Sequence, residues 1–254
     1  MSTTQRTVTF LDDITHTSCH SDYRYNEFDG YEHPEWPAKR VITADTKAAL
    51  EGTQTKLILL VTGMFLGWLS APGRACVLMI HGAFWLTRST VGIDIENNVY
   101  TSLGPSSVRF ATTAEEDIAR SIAQLAILSL DPATASTVPT DLRIAGQNVS
   151  YEEIRDAVAC VKGVPKGQLR SRSLEQFDSN LKENPTDNIL DYIWRVDILV
   201  TTMRSEMLIE YAISRVLMGQ GKMDFSSENA NEFVNPGQSL WKWKTVEDQL
   251  RSSL

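Results

Sequence analysis

The sequence predicts an α/β fold, a parallel sheet flanked by helices, with a helical C-terminal subdomain behind it. Three observations carry that expectation. A helix-forming stretch, Thr43–Glu51, leads into an apolar run of strand length, Lys56–Val61. Two segments, Thr113-Ala-Glu-Glu116 and Ser150-Tyr-Glu-Glu153, place a hydroxyl three residues ahead of a carboxylate, as a capped helix start does. The second of these follows a strand-like stretch, Leu142–Ala145, and a glycine, Gly146. Strand, turn and capped helix in that order build α/β layers.

Composition sets the outer bounds. The chain has 254 residues, 42% of them in the set AVILMFWYC and 22% charged, so it can bury a core of its own. Lys and Arg number 24 and Asp and Glu 32, a net charge of −8. Such a chain lacks the basic face that nucleic-acid backbones require, and no nucleic acid is expected as a partner. Cys19, Cys76 and Cys160 are odd in number and far apart, which argues for reduced thiols and a cytoplasmic location. The start, MSTTQRTVTF, has no apolar signal core. The apolar runs over 56–65 and 75–86 each fall short of the ~20 residues that span a bilayer. Pro72, Gly73 and Arg74 separate them, so they read as buried elements and no membrane is expected.

Along the chain, residues 1–40 form an irregular N-terminal segment, with a short strand at Thr7–Leu11 and loop over Asp22–Pro37. Thr43–Glu51 is helical until Gly52, and Lys56–Val61 is a strand. The run 75–86 suits a strand or a short helix, and periodicity does not separate the two. Gly92–Asn98 is a turn, with short strands Val99–Leu103 and Ser107–Ala111 on either side of Gly104-Pro105. The helix opened at Thr113 carries Ile118, Ile122, Leu125, Ala126 and Leu128 at helical spacing and stops at Asp131-Pro132. Its Glu115, Glu116 and Asp117 complement the helix dipole. The helix opened at Ser150 runs to about Val161, before Gly163. A short helix at Leu174–Leu181 and a long one from Asn188 to about Met218 complete the helical set.

No phosphate loop of the form GxxxxGK[ST], no HExxH, no CxxC and no GxSxG is present. The one GxG, Gly219-Gln-Gly221, follows a helix and lacks a third glycine, which is the wrong context for a dinucleotide site. Four segments in series nonetheless resemble the NmrA-like, isoflavone-reductase-like branch of the atypical short-chain dehydrogenases. They are LILLVTGMFLGWL (57–69), GIDIENN (92–98), VRFATTAEEDIARSIAQLAI (108–127) and LRIAGQNVSYEEI (142–154). The resemblance implies a partial Rossmann-type sheet over 41–162 and a mostly helical subdomain over 163–254. It implies NADP or NAD as cofactor and a small aromatic or polyketide-like molecule as substrate.

Two departures qualify it. The family opens on a strand and a GxxGxxG loop, which this sequence lacks, so cofactor binding is expected to be impaired or absent. Residues 73–91 have no counterpart in the family pattern and read as an insertion. The alternatives are a non-catalytic, regulatory or partner-binding relative and a truncated gene product. A sheet missing its first units would also expose a face and an edge and favour self-association.

The resemblance points to three site residues. Lys39, in Trp36-Pro-Ala-Lys39-Arg40, stands near the place of a family lysine that contacts cofactor or moves a proton. Its bland alternative is a solvated lysine beside an arginine. Gly63 and Phe65 form the strand-end turn that faces nicotinamide and substrate in the family. They are equally suited to packing. His16, Cys19, His20 and His33 do not have zinc-site spacing, so no metal is expected. Cys160 reads as a buried thiol. Trp241 and Trp243 read as docking the C-terminal tail onto the core.

Overall fold

The structure is a computed structural model, and it describes residues 35–53, 55–67, 91–176 and 215–253, with backbone alone over 35–40. The first element, helix α1 (Glu35–Leu50), begins inside the segment expected to be irregular. Pro37 does not prevent this. It lies in the first turn, where its missing N–H has no intrahelical acceptor to satisfy. None of residues 41–50 is buried, and Val41 and Ile42 are exposed.

Strands β1 (Leu59–Val61) and β2 (Met64–Phe65) follow one another across a turn at Thr62-Gly63. Next come β3 (Ile93–Asp94), β4 (Val99–Leu103) and β5 (Phe110–Thr113). Helix α2 (Glu115–Leu130) leads to β6 (Asp141–Arg143) and β7 (Gln147–Val149). Helix α3 (Tyr151–Lys162) leads to β8 (Gln168–Arg172). The C-terminal part carries helical residues 215–219, α4 (Asn231–Val234), a 3-10 turn at Pro236–Gln238 and α5 (Val246–Ser253).

Pairing is mostly parallel, as an α/β fold requires. β1 runs parallel to β6, with Leu59 opposite Asp141 and Val61 opposite Arg143. β2 runs parallel to β5, with Phe65 opposite Thr113. β4 runs parallel to β8 from Val99↔Gln168 to Leu103↔Arg172. The pairs β3–β4 and β5–β7 are antiparallel. The chain is an α/β protein with helices against its parallel strands.

The larger apolar clusters among the described residues join the layers. One joins Met64, Leu66, Ile93, Tyr100 and Phe110 to Ile154 and Val158 of α3, and to Leu217, Met223, Val246 and Leu250 of the C-terminal part. The other joins Leu125 of α2 to Leu142, Ile144, Val234 and Trp243. Trp243 is buried, and its ring meets that of Trp241 edge-on at 5.3 Å, so the tail docks as the sequence suggests. The buried face of α3 is made by Tyr151, Ile154, Val158 and Ala159. Cys160 falls off that face and is exposed, which corrects the expectation of a buried thiol.

Among the described residues no helix is long and apolar enough to cross a membrane. The strand expected at Thr7–Leu11, the insertion expected over 73–91 apart from Val91, and the long helix expected from Asn188, up to residue 214, lie outside the described residues.

Candidate functional site

Ligands of open α/β sheets bind beyond the C-terminal ends of parallel strands. Here that edge is formed by the β1–β2 turn and by the ends of β5 and β6. Gly63 has φ +66°, and a Cβ added there would meet the Ala111 carbonyl oxygen at 2.5 Å. Only glycine fits, because the turn is both left-handed and pressed against the backbone of β5. Gly63 is buried and Phe65 is half-buried.

Thr113 holds this turn in place. Its hydroxyl donates to the Thr62 carbonyl at 2.6 Å and accepts from the Gly146 N–H at 3.3 Å. The Leu66 N–H donates to the Thr113 carbonyl at 3.0 Å. One buried side chain of β5 therefore ties the β1–β2 turn to the β6–β7 turn. The expected capping box at Thr113 does not form, because that hydroxyl is taken by the sheet. Ala114 is the N-cap of α2 and makes no side-chain cap. The box at Ser150 does form: its Oγ accepts from the Glu153 N–H, and Glu153 accepts from the Ser150 N–H at 2.9 Å.

Asp117, in the first turn of α2, is fully buried. It was expected to complement its own helix dipole, and it does more. Its carboxylate accepts the backbone N–H of Lys244 at 2.8 Å and pairs with Arg120 at 3.0 Å. Burial pushes its carboxyl above the ordinary value, opposed by the Lys244 N–H and Arg120. Glu116 pairs with the Lys244 ammonium at 3.1 Å. Other polar side chains clamp the C-terminal part in the same way. Asn231 bonds both the N–H and the C=O of Ala145, at 3.1 and 2.6 Å. Gln147 accepts the Val246 N–H at 2.8 Å, and Asn148 accepts the Phe225 N–H at 2.9 Å. These contacts join residues far apart in sequence, and no local pattern announces them.

Two tyrosines are buried in the cluster that also holds Met64 and Phe110. Tyr151 donates to the Val91 carbonyl at 2.6 Å, and burial raises its phenol above the usual value. Tyr100 is pushed up to about 12 by burial and by Asp94. Tyr151 thus packs and hydrogen-bonds, whereas Tyr100 packs with its hydroxyl unpartnered, and burial favours the neutral phenol in both.

The geometry allows a test of the dinucleotide that the resemblance implies. Its diphosphate needs a free helix N-terminus or a glycine loop. The first turn of α2 carries Glu115, Glu116 and Asp117, and Glu115 already accepts the Gly67 N–H at 3.2 Å. The first turn of α3 is closed by its own capping box, with Arg109 paired to Glu153. The start of α3 lies beside Phe110, at the other end of β5 from Thr113. At the strand-end edge the carboxylates of the α2 start repel a phosphate rather than hold one, so that start does not fit the diphosphate. Gly63 and Phe65 lie together at the strand ends, as the sequence suggests. Lys39 lies in the first turns of α1, and its side chain is outside the described residues, as are His16, Cys19, His20 and His33. Among the described residues no group of three His, Cys, Asp or Glu is placed to hold a metal ion.

No family model matches the chain, and no curated protein matches it. Solved structures similar to the chain include an isoflavone reductase and a nucleoside-diphosphate-sugar epimerase. The isoflavone reductase matches 89% of this chain and 62% of its own length, with a TM-score of 0.48 and 16% identity. The epimerase, from Staphylococcus aureus, matches 87% of this chain and 60% of its own length, with a TM-score of 0.47 and 10% identity. The chain thus spans about three fifths of the length of each of these structures.

Proposed function

We propose that the chain is an NmrA-like, Rossmann-type relative of NAD(P)H-dependent reductases in which cofactor binding is impaired, and that it works by binding rather than by hydride transfer. The observation that carries the reading is the state of the strand-end edge. The helix start described there, that of α2, carries Glu115 and Asp117 already bonded to the protein, and the sequence supplies no glycine loop in its place. The family resemblance of 57–69, 92–98, 108–127 and 142–154 supports the kinship. The resemblance places the turn of Gly63 and Phe65 toward the substrate, which supports a small aromatic molecule as ligand. On this reading Lys39 carries no proton to a substrate. A cytoplasmic location goes with three widely spaced cysteines, one of them exposed.

Calorimetric titration of the full chain with NADPH, and separately with NADH, tests this. The expected result is no saturable binding at micromolar cofactor. A low-micromolar dissociation constant for either nucleotide would overturn the reading and return the chain to the reductases.

A further inference from the structure

A different part of the molecule offers a surface that the strand-end site does not use. Strand β8 (Gln168–Arg172) ends the sheet β3-β4-β8, and no strand among the described residues lies beyond it. Its pairing with β4 fixes which backbone groups are spent. The Gln168 N–H donates to the Asn98 carbonyl at 2.8 Å, and the Arg172 carbonyl accepts the Gly104 N–H at 2.7 Å. In a parallel ladder alternate residues face the same neighbour. Residues 168, 170 and 172 therefore face β4, and the N–H and C=O groups of Leu169 and Ser171 point outward along an open edge.

The side chains alternate as well. Leu169 packs against the main apolar cluster, so Gln168 and Arg170 stand on the opposite face of the strand. Arg170 is exposed, and its guanidinium bonds the Gln168 amide oxygen at 2.9 Å, a neutral partner. The stretch 157–174 holds Lys162, Lys166, Arg170 and Arg172 and no Asp or Glu, in a chain of net charge −8. Lys166 is paired with Asp156 at 2.7 Å, and Lys162 donates to the Ile95 carbonyl at 3.1 Å. The edge thus combines outward strand hydrogen-bonding groups with a stretch, 157–174, that has no acid in sequence and whose Arg170 has only a neutral partner.

We infer that β8 is a docking edge for an extended acidic peptide of a partner protein, which adds to the sheet as a further strand. The added strand would bond the outward groups of Leu169 and Ser171. Its side chains on the Arg170 face would be acidic and those between them apolar, beside Leu169. A second copy of this chain is a poor occupant, because β8 against β8 sets arginines on one face beside each other. Nucleic acid is a poor occupant too, because a row of peptide groups at strand spacing offers it charge without stacking.

The probe is a fluorescently labelled peptide alternating glutamate and valine, titrated into the full chain and followed by anisotropy. Saturable binding is expected, weakened about tenfold or more by Arg170→Glu and kept by Arg170→Lys, a change of about 1.4 kcal/mol at tenfold. The same peptide with alternate backbone nitrogens methylated keeps its charge and is expected not to bind. Three results would overturn the inference. One is absence of binding by the unmodified peptide. Another is equal binding of the methylated peptide or of the Arg170→Glu chain. The last is displacement of the peptide by a single-stranded oligonucleotide of equal charge at equal concentration.

Discussion

Helices α2 and α3 both follow a strand, and both are preceded by a hydroxyl three residues ahead of a glutamate, yet their N-termini are built differently. At α3 the strand ends at Val149, so Ser150 is free to close the helix with Glu153, and the start is locally complete. At α2 the matching hydroxyl belongs to Thr113, which is still the last residue of β5. It bonds Thr62 and Gly146 instead, and the helix start is completed from far away by the Lys244 segment on Asp117 and Glu116. A local cap serves one helix. A cap borrowed into the core ties three segments of the chain together, and the difference rests on where the strand ends by a single residue.

The contrast predicts unequal costs when each start is broken. The largest effect is expected at Asp117, whose removal leaves the Lys244 N–H and Arg120 without their acceptor. Asp117→Ala is expected to lose about 2 to 3 kcal/mol in chemical denaturation. Asp117→Asn keeps an acceptor for the Lys244 N–H and should lose less. The pH dependence gives a second reading. A carboxyl whose pKa is raised on folding binds its proton more tightly folded than unfolded. Its contribution to stability therefore falls as the pH rises from acid through the raised value, and the cost is in full force above it. The Asp117→Asn chain should lack that portion of the acid-side slope. An unchanged slope would mean that the carboxyl does not titrate differently in the two states.

The next effect separates the two hydroxyls. Thr113→Val strands the Thr62 carbonyl and the Gly146 N–H inside the protein, and about 2 kcal/mol is expected. Ser150→Ala removes an ordinary cap and should cost about 1 kcal/mol. Denaturation midpoints of the two variants at equal slope check the order. Equal losses would show that Thr113 is no more than a cap.

Local signals account for what was legible in the sequence. The Ser150 box, the stop of α2 at Asp131, the Gly163 cap of α3 and the strands at 59–61, 99–103 and 141–143 all rest on neighbours within a few residues. The strand-end place of Gly63 and Phe65 was legible through resemblance, and the geometry explains Gly63 by the Ala111 carbonyl behind it. The helix start at Glu35 was hidden by Pro37, which marks a loop and a first helical turn equally well. Asp117, Asn231 and Gln147 were not legible as clamps, because their partners lie on segments that only the folded chain brings near. The open edge of β8 was equally hidden, since a strand's place in a sheet is not a property of its own residues.

The smallest effect sharpens the comparison at the two glutamates. Burial alone would raise the Glu153 carboxyl, but Arg109 and the N–H and hydroxyl of Ser150 outweigh it and hold the carboxyl below the ordinary value. A lowered folded pKa adds stability that is present above the unfolded value and is lost as the pH falls through the folded one. Glu153→Gln should remove that term together with half of the capping box, at a cost of about 0.5 kcal/mol or somewhat more at neutral pH. Glu116 is half exposed and meets only the Lys244 ammonium, so Glu116→Gln should cost less and lose its effect in high salt. A cost at Glu116 that equals the cost at Glu153 and resists salt would place the two helix starts in the same class, against the geometry of their caps.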